Sequence, residues 1–334
     1  MGLPVVVGVD GSEGSLRALD WAAAEASRSR LPLRVVHASL WEHYEGLRPT
    51  VDAGVPGEQL LAEHLVASAR DRVRVLRPEV SVVADVQPED PVAALVQESH
   101  EASLVVLGSR GRGRIAGMLL GSVGLALAGR SHCPVVVIPA RQPGAPPQPG
   151  RIVVGISDDA GPSAAAVFAL AQAASRHGEL TAVRAWRRPA HALLTQPPLP
   201  GAPASTQRRQ AEEHLDEVLK ALETLENRKK QQQAQEPQKS QETQETQRTR
   251  GTQGAQEPQR APGQDGSANV VIHRSVAQGP AHQVLIEAAE NAELLVVGAR
   301  RGSGWHGLQL GPVNHAVLHY SPCPVAIVPD TYRG

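Results

Sequence analysis

Two places early in the chain combine residue types able to hold a phosphorylated ligand. Asp10 closes the apolar run Val5–Val9. A turn, Gly108-Ser109-Arg110-Gly111, follows the apolar run Leu104–Leu107, and nine residues separate it from Gly121-Ser122. Glycines let a backbone turn tightly and come close to phosphate oxygens. Gly121-Ser122 opens an apolar helical segment, whose first N–H groups and positive dipole end suit an anion. One exposed helix end contributes only about 0.3–1 kcal/mol, so several N–H donors must act together. Arg110, Arg112 and Arg114 add positive charge to the same loop. An isolated GxxG reads most simply as a turn joining strand to helix. Here the glycines continue through a fixed gap into a helix start, and an acid ends a separate strand, which together point to a nucleotide site.

These residues need a frame that brings two strand ends together. Short Val/Leu runs near Val5–Val9, Leu33–His37, Val80–Val86, Leu104–Leu107 and Val135–Ile138 alternate with helical segments near Ser15–Ser29, Glu58–Leu76, Pro91–Glu101 and Ser122–Arg130. That alternation predicts βαβ units and a parallel sheet with helices on both faces. In such sheets ligands bind at the carboxyl ends of the strands, where the strand order reverses. Asp10 and Gly108 both fall at such ends.

The frame occurs twice. VVVGVDGS at Val5–Ser12 returns as IVVGISDD at Ile152–Asp159, an offset of 147. LVVLGSRGRG at Leu104–Gly113 returns as LLVVGARRGS at Leu294–Ser303, and HCPVVVIP at His132–Pro139 as PCPVAIVP at Pro322–Pro329, both at an offset of 190. The second copy therefore carries about 43 extra residues between its early and late strands. They are visible from Asn227 to Gly266, a stretch rich in Gln, Glu, Thr and Pro and almost free of aliphatic side chains. Such composition buries too little apolar area to offset ordering entropy, so 227–268 is expected to be a disordered surface insert. The preceding Leu215, Val218, Leu219, Leu222 and Leu225 have helical spacing. The expected organisation is a first domain at 1–141, a Pro-rich linker at 142–150 and a second domain at 151–330.

Composition narrows the function. The 334 residues include 33 basic and 34 acidic ones, a net charge of −1 that gives no general attraction to nucleic acid or anionic membrane. Aromatics are only 2% of the chain, so Val, Leu, Ala and Ile must fill the core. No apolar run approaches the ~18 residues that span a bilayer, and no leader-like segment opens the chain, which gives a cytoplasmic expectation. Cys133 and Cys323 occupy equivalent positions in the two copies and read as buried small residues. His315 and His319 lie four apart near Cys323, a spacing that could put two metal ligands on one helix face. With no third or fourth ligand in view, a surface helix is preferred and no metal site is assigned. His37 reads as a packed or loop histidine. No catalytic triad, G-x-S-x-G elbow or GK[ST] loop is present, so no catalytic residue is assigned.

With its G-x2-G-x9-G-[ST] motif and strand-ending Asp, the sequence resembles the universal stress protein family in its tandem, ATP-binding form. The resemblance implies two repeated, open, five-stranded parallel-sheet α/β domains, Rossmann-like and similar to adenine nucleotide alpha-hydrolases. It implies ATP, accompanied by Mg2+, in the first copy. Asp10 would sit near adenosine and the backbone at Ala38 near adenine. Leu107, Gly108 and Gly111, with Arg110 in the same turn, would line ribose and phosphates, and Gly121, Ser122 and Val123 would hold the phosphate tail. The second copy departs from the motif: Ser157 replaces Asp10, Arg301 replaces Gly111, and Pro312 replaces Ser122, although Gly298 and Gly311 remain. Its site is expected to be weakened or lost. The resemblance further implies a regulatory role in stress through nucleotide-dependent conformation or a protein partner. It also implies an intramolecular pseudo-dimer through Val135–Pro139 and Val325–Pro329, and further homodimerisation. A slow ATPase or phosphoryl- or nucleotidyl-transfer enzyme, and a scaffold that binds no nucleotide, are the alternatives.

Overall fold

The computed structural model describes residues 2–40, 57–111, 121–140, 147–158, 161–187, 203–248, 270–299 and 310–333. Arg112, Arg114, Arg301, most of the linker and residues 249–269 lie outside them.

The first copy runs β1 (Val5–Gly8), α1 (Glu13–Ser29), β2 (Leu33–Ala38), α2 (Gly57–Leu76), β3 (Val82–Gln87), α3 (Pro91–Glu98), β4 (Leu104–Gly108), α4 (Ser122–Arg130) and β5 (Val135–Ile138). The second runs β6 (Arg151–Gly155), α5 (Ala164–Ser175), β7 (Glu179–Trp186), α6 (Pro203–Arg248), β8 (Val271–Gln278), α7 (Ala281–Ala288), β9 (Leu294–Ala299), α8 (Pro312–Tyr320) and β10 (Val325–Pro329). The expected alternation of strand and helix is therefore present in both copies.

All ten strands form one sheet in the order β3-β2-β1-β4-β5-β10-β9-β6-β7-β8. Pairing is parallel within each copy and antiparallel only where β5 meets β10. The two copies thus join along their last strands. Val136 pairs with Ala326, the residue at its own position in the repeat, so a pseudo-twofold axis passes through this pair. The central strands are continuous apolar runs because helices cover both faces. On one face Val5, Val7 and Val9 pack with Leu19, Ala22 and Ala26 of α1 and with Val66 of α2. On the other, Val6 and Val36 pack with Leu95 of α3 and Leu127 of α4. Small alanines on α1 let that helix lie close on the sheet, which suits a core almost without aromatics.

One expectation is corrected. Helix α6 runs through Arg248, well into the segment expected to lack structure. Gln, Glu, Lys, Arg and Ala are good helix formers even when they bury nothing. A composition that cannot build a core can still propagate a helix from a packed base. That base is Ala211, Leu215, Val218, Leu219 and Leu222, all buried.

Candidate functional site

In the first copy, the strand order reverses between β1 and β4. Chain leaves β1 toward β2 on one side and β4 toward β5 on the other. The gap between the two exits opens into a cavity of about 450 Å3, within the usual range for small-molecule sites. Asp10, Ala38, Leu107, Gly108, Arg110, Gly111, Gly121, Ser122 and Val123 all line it. The structure therefore brings together every first-copy residue assigned to the ATP site; Arg112 and Arg114 lie outside the described residues. It also adds Gly8, Val9, Ser15, Val36, Pro91, Leu95 and Gly124.

The glycines are required by close approach. A Cβ on Gly111 would lie 2.4 Å from Asp10 Oδ2, and one on Gly108 would lie 2.6 Å from the Gly14 carbonyl carbon. Gly14 is needed reciprocally: its own Cβ would fall 2.6 Å from the Arg110 carbonyl oxygen. The start of α1 is thereby pressed against the turn after β4. Gly14 is missed by a motif search because it belongs to the other loop. The signal for it was the spacing Asp10-x-Ser12-x-Gly14, a helix cap followed by a residue without a side chain.

Hydrogen bonds hold the two loops in register. Ser12 caps α1 by accepting from Ser15 N at 3.2 Å, and its own amide donates to Asp10 Oδ1 at 3.0 Å. Ser12 Oγ reaches the Arg110 carbonyl at 3.4 Å. Below Asp10, buried His37 donates from Nδ1 to the Val9 carbonyl at 2.7 Å, so it is a packed histidine under the site. On the other side, Ser109 N donates to Ile138 O at 2.8 Å, and Gly121 N donates to Ser109 O at 2.7 Å. These bonds bring the start of α4 back beside the β4 exit. Gly121 caps α4 without a side chain, whereas Asp90 caps α3 through its carboxylate. The first amides of α4 thus face the cavity with no capping side chain. Ser109 Oγ is buried and has no partner among the described residues.

The second copy repeats the frame but changes its contents. The position of Gly124 is held by Asn314, which is 7% exposed and donates from Nδ2 to the Gly298 carbonyl at 3.0 Å. An amide therefore occupies room that a glycine leaves open in the first copy. The position of His37 is held by Arg184, which binds the Ile156 carbonyl at 3.0 Å and pairs with Asp158. His214 of α6 adds a contact to the Ser157 carbonyl at 3.0 Å. Pro312, which lacks an N–H, begins α8 after Gly311. Helix α5 starts at Ala164, about one turn later than its counterpart, and among the described residues nothing lies within 4 Å of a Cβ added at Gly161; Arg300, the repeat equivalent of Arg110, lies outside them. Sequence alone exposes Pro312; the amide plug of Asn314 emerges only from the packing.

Cys133 and Cys323 are both buried. Burial pushes each thiol up to about 11, against a partial lowering by hydrogen bonds from Ser131 and Ser321 respectively. The His319 imidazolium is disfavoured by burial and by nearby His315. No helix among the described residues is long and apolar enough to cross a membrane.

An open, mostly parallel sheet with helices on both faces and a glycine-lined crevice at its switch point defines a doubly wound α/β protein as a class. The sequence model of the Universal stress protein family matches residues 2–139 and 149–329. The chain belongs to that family, as a tandem of two domains. Universal stress protein Rv2005c of Mycobacterium tuberculosis is 31% identical over 341 residues, covering 97% of this chain and 96% of the relative. Universal stress protein Rv2623 of the same organism is 27% identical, covering 98% and 97%. A universal stress protein from Archaeoglobus fulgidus of known crystal structure matches the fold with a TM-score of 0.59 at 15% identity, covering 98% of each chain.

Proposed function

We propose that the first-copy cavity binds ATP and that this chain is a nucleotide-responsive regulatory protein. The observation that carries the reading is the bare main chain of the cavity. Gly108, Gly111 and Gly121 line it, and added side chains at Gly108 and Gly111 would strike Gly14 and Asp10. A wall of N–H groups without side chains fits a polyphosphate. Val36, Pro91 and Leu95 supply an apolar wall for a base. Asp10, an acceptor when ionised, suits ribose hydroxyls better than phosphate oxygens, which it would repel. Arg110 lines the same cavity and adds positive charge. Mg2+ binds through one or two carboxylates and phosphate oxygens and keeps much of its water. Asp10 is the one carboxylate among the described lining residues, so the ion would be held chiefly by the ligand.

The reading is binding rather than turnover. The described lining residues include no histidine, lysine or cysteine, and phosphoryl transfer needs a positioned attacking group. The functional output would be ordering of the loops after β1 and β4 by ligand, read by a protein partner or a second chain. Extraction of nucleotide from protein purified under native conditions tests the reading directly. Adenine nucleotide at about one per chain is expected, with phosphate release no faster than the buffer blank when Mg2+ is added. Protein that emerges empty and ignores ATP at millimolar concentration would refute it.

A further inference from the structure

Away from the cavity, on the face covered by α1 and α5, a buried charged cluster sits where the two copies meet. Glu25 of α1 is 2% exposed, as is the Arg176 side chain at the end of α5. Glu25 Oε2 accepts from Arg176 at 2.7 Å, and Oε1 accepts from Gln172 Nε2 at 3.1 Å. Arg176 also donates to Glu293 Oε1 at 2.9 Å and to Gln172 Oε1 at 2.5 Å, with its guanidinium 6.0 Å from the Trp21 ring. Arg28, in the same copy as Glu25, closes the group at 2.5 Å.

The repeat makes this cluster informative. Glu25 and Gln172 are equivalent positions, separated by the offset of 147, and they touch each other. In an isologous pairing, a residue that touches its own equivalent lies on the twofold axis. The β5–β10 register independently puts that axis through Val136 and Ala326. Two first copies paired in the same way would bring Glu25 against Glu25. Neither would have the amide of Gln172, and Ser29 would stand where Arg176 stands. Each Glu25 would keep Arg28 and Ser29 of its own copy but lose Gln172 and Arg176, and a buried carboxylate that loses its cross-axis donors and faces another carboxylate is disfavoured.

We propose that Glu25, Gln172 and Arg176 form an address by which a first copy accepts a second copy and rejects another first copy. Apolar strands such as Val135-Val136-Val137 pair with almost any similar edge, so discrimination falls to the groups on the axis. The proposal stands independently of the ligand reading, since none of its residues lines the cavity.

The test uses the full chain with a specific protease site at 141–146, cleaved after purification. The nicked protein is unfolded in urea, refolded by dilution and weighed by native mass spectrometry, with circular dichroism as a check on folding. Wild type is expected to return first–second pairs, with first–first pairs rarer by about a hundredfold or more, the scale of a broken buried ion pair. Glu25→Gln relieves the clash on the axis and should raise the first–first association constant at least about tenfold. Arg176→Ser should weaken first–second pairing and leave the first–first constant unchanged, because no first–first pair contains residue 176, which makes it the control for the folding of the second copy. A purely structural role for the cluster predicts instead that Glu25→Gln loosens first–first and first–second pairs alike. That outcome overturns the proposal, as do first–first pairs from wild type, failure of wild type to recover first–second pairs, or an unchanged first–first constant in folded Glu25→Gln.

Discussion

Replacing Gly111 and Gly108 in turn by alanine separates ligand contact from loop packing. At Gly111 the new methyl would lie 2.4 Å from Asp10 Oδ2, about 1 Å inside van der Waals contact. The obstacle is the end of a short side chain, so Asp10 can rotate away. Doing so breaks its bond to Ser12 N and moves an acceptor that we assign to ribose. A hydrogen bond to a charged group contributes about 1.5–3 kcal/mol. ATP affinity should therefore fall by about 10- to 100-fold, while the Tm of the unliganded protein falls by no more than about 4 °C. At Gly108 the methyl would meet backbone instead, 2.6 Å from Gly14 C and 2.7 Å from Gly14 O. Backbone cannot rotate aside, so overpacking of about 1–3 kcal/mol is expected even without ligand. Calorimetric titration with ATP, paired with thermal unfolding at zero ATP and at a hundred times Kd, reads both effects. Saturation to that degree stabilises wild type by about 2.7 kcal/mol. Gly111→Ala binding ATP as tightly as wild type, or Gly108→Ala melting with wild type, would refute the geometry argued here.

Other consequences are as direct. ATP should titrate at one per chain, because Asn314 stands where Gly124 leaves room and Pro312 removes a helix-start donor; two equal tight sites would contradict this. Asn314→Gly should not create a second site by itself, since Pro312 still removes a donor, and should cost about 1–2 kcal/mol in helix propensity and a lost hydrogen bond. Cys133 and Cys323 should resist alkylation in native protein at pH 8 by more than about a hundredfold relative to free cysteine, from thiolate fraction alone. Their folded values near 11 lie above the ordinary value of 9.0. The unfolded chain then releases thiol protons first, so stability is fully present below about pH 9 and falls as pH rises toward about 11, by roughly 2–3 kcal/mol per thiol. Urea midpoints at pH 8, 9 and 10 check the sign; a rise with pH would be the wrong direction. Deleting 230–268 should leave ATP affinity unchanged and alter stability by less than about 1 kcal/mol, because Leu222 is the last buried apolar residue of α6 among those described and a shorter loop closes at little entropic cost.

The first-copy site was legible because it is made of glycines, and glycines mark places where side chains cannot fit. Gly108, Gly111 and Gly121 carry that message at fixed spacing, and Asp10 is visible as an acid at a strand end. Gly14 was harder to find: its constraint comes from Arg110, 96 positions away, and the local spacing after Asp10 and Ser12 only hints at it. The helix through Arg248 was misjudged because the test applied was burial, whereas Gln, Glu and Lys favour helix without burial. Asn314 looked like an ordinary polar residue on a helix. Only the approach of α8 to the Gly298 carbonyl turns it into a plug.

The charged cluster was hidden more deeply. Glu25 with Arg28 three residues later reads as a solvated helix pair, and Arg176 reads as a basic helix end. Burial of both at 2% follows from the antiparallel meeting of β5 and β10, which brings α1 and α5 together across the axis. The same symmetry explains where the copies have diverged. Positions such as Val136 and Ala326 stay apolar because both halves need the same strand edge. The copies differ along much of their length, and three of the differences bear on the crevice or the axis: Gly124 against Asn314, His37 against Arg184 beneath the crevice, and Glu25 against Gln172. At the crevice, the change leaves room beside Gly124 in one half and puts the Asn314 amide on the Gly298 carbonyl in the other. At the axis, it turns a contact that could be symmetric into one that needs unlike partners. On the function proposed above, a duplicated fold made asymmetric at both places would have one half respond to the ligand and the other register the response. The β4–β5–β10–β9 strands form the shortest bonded path between them.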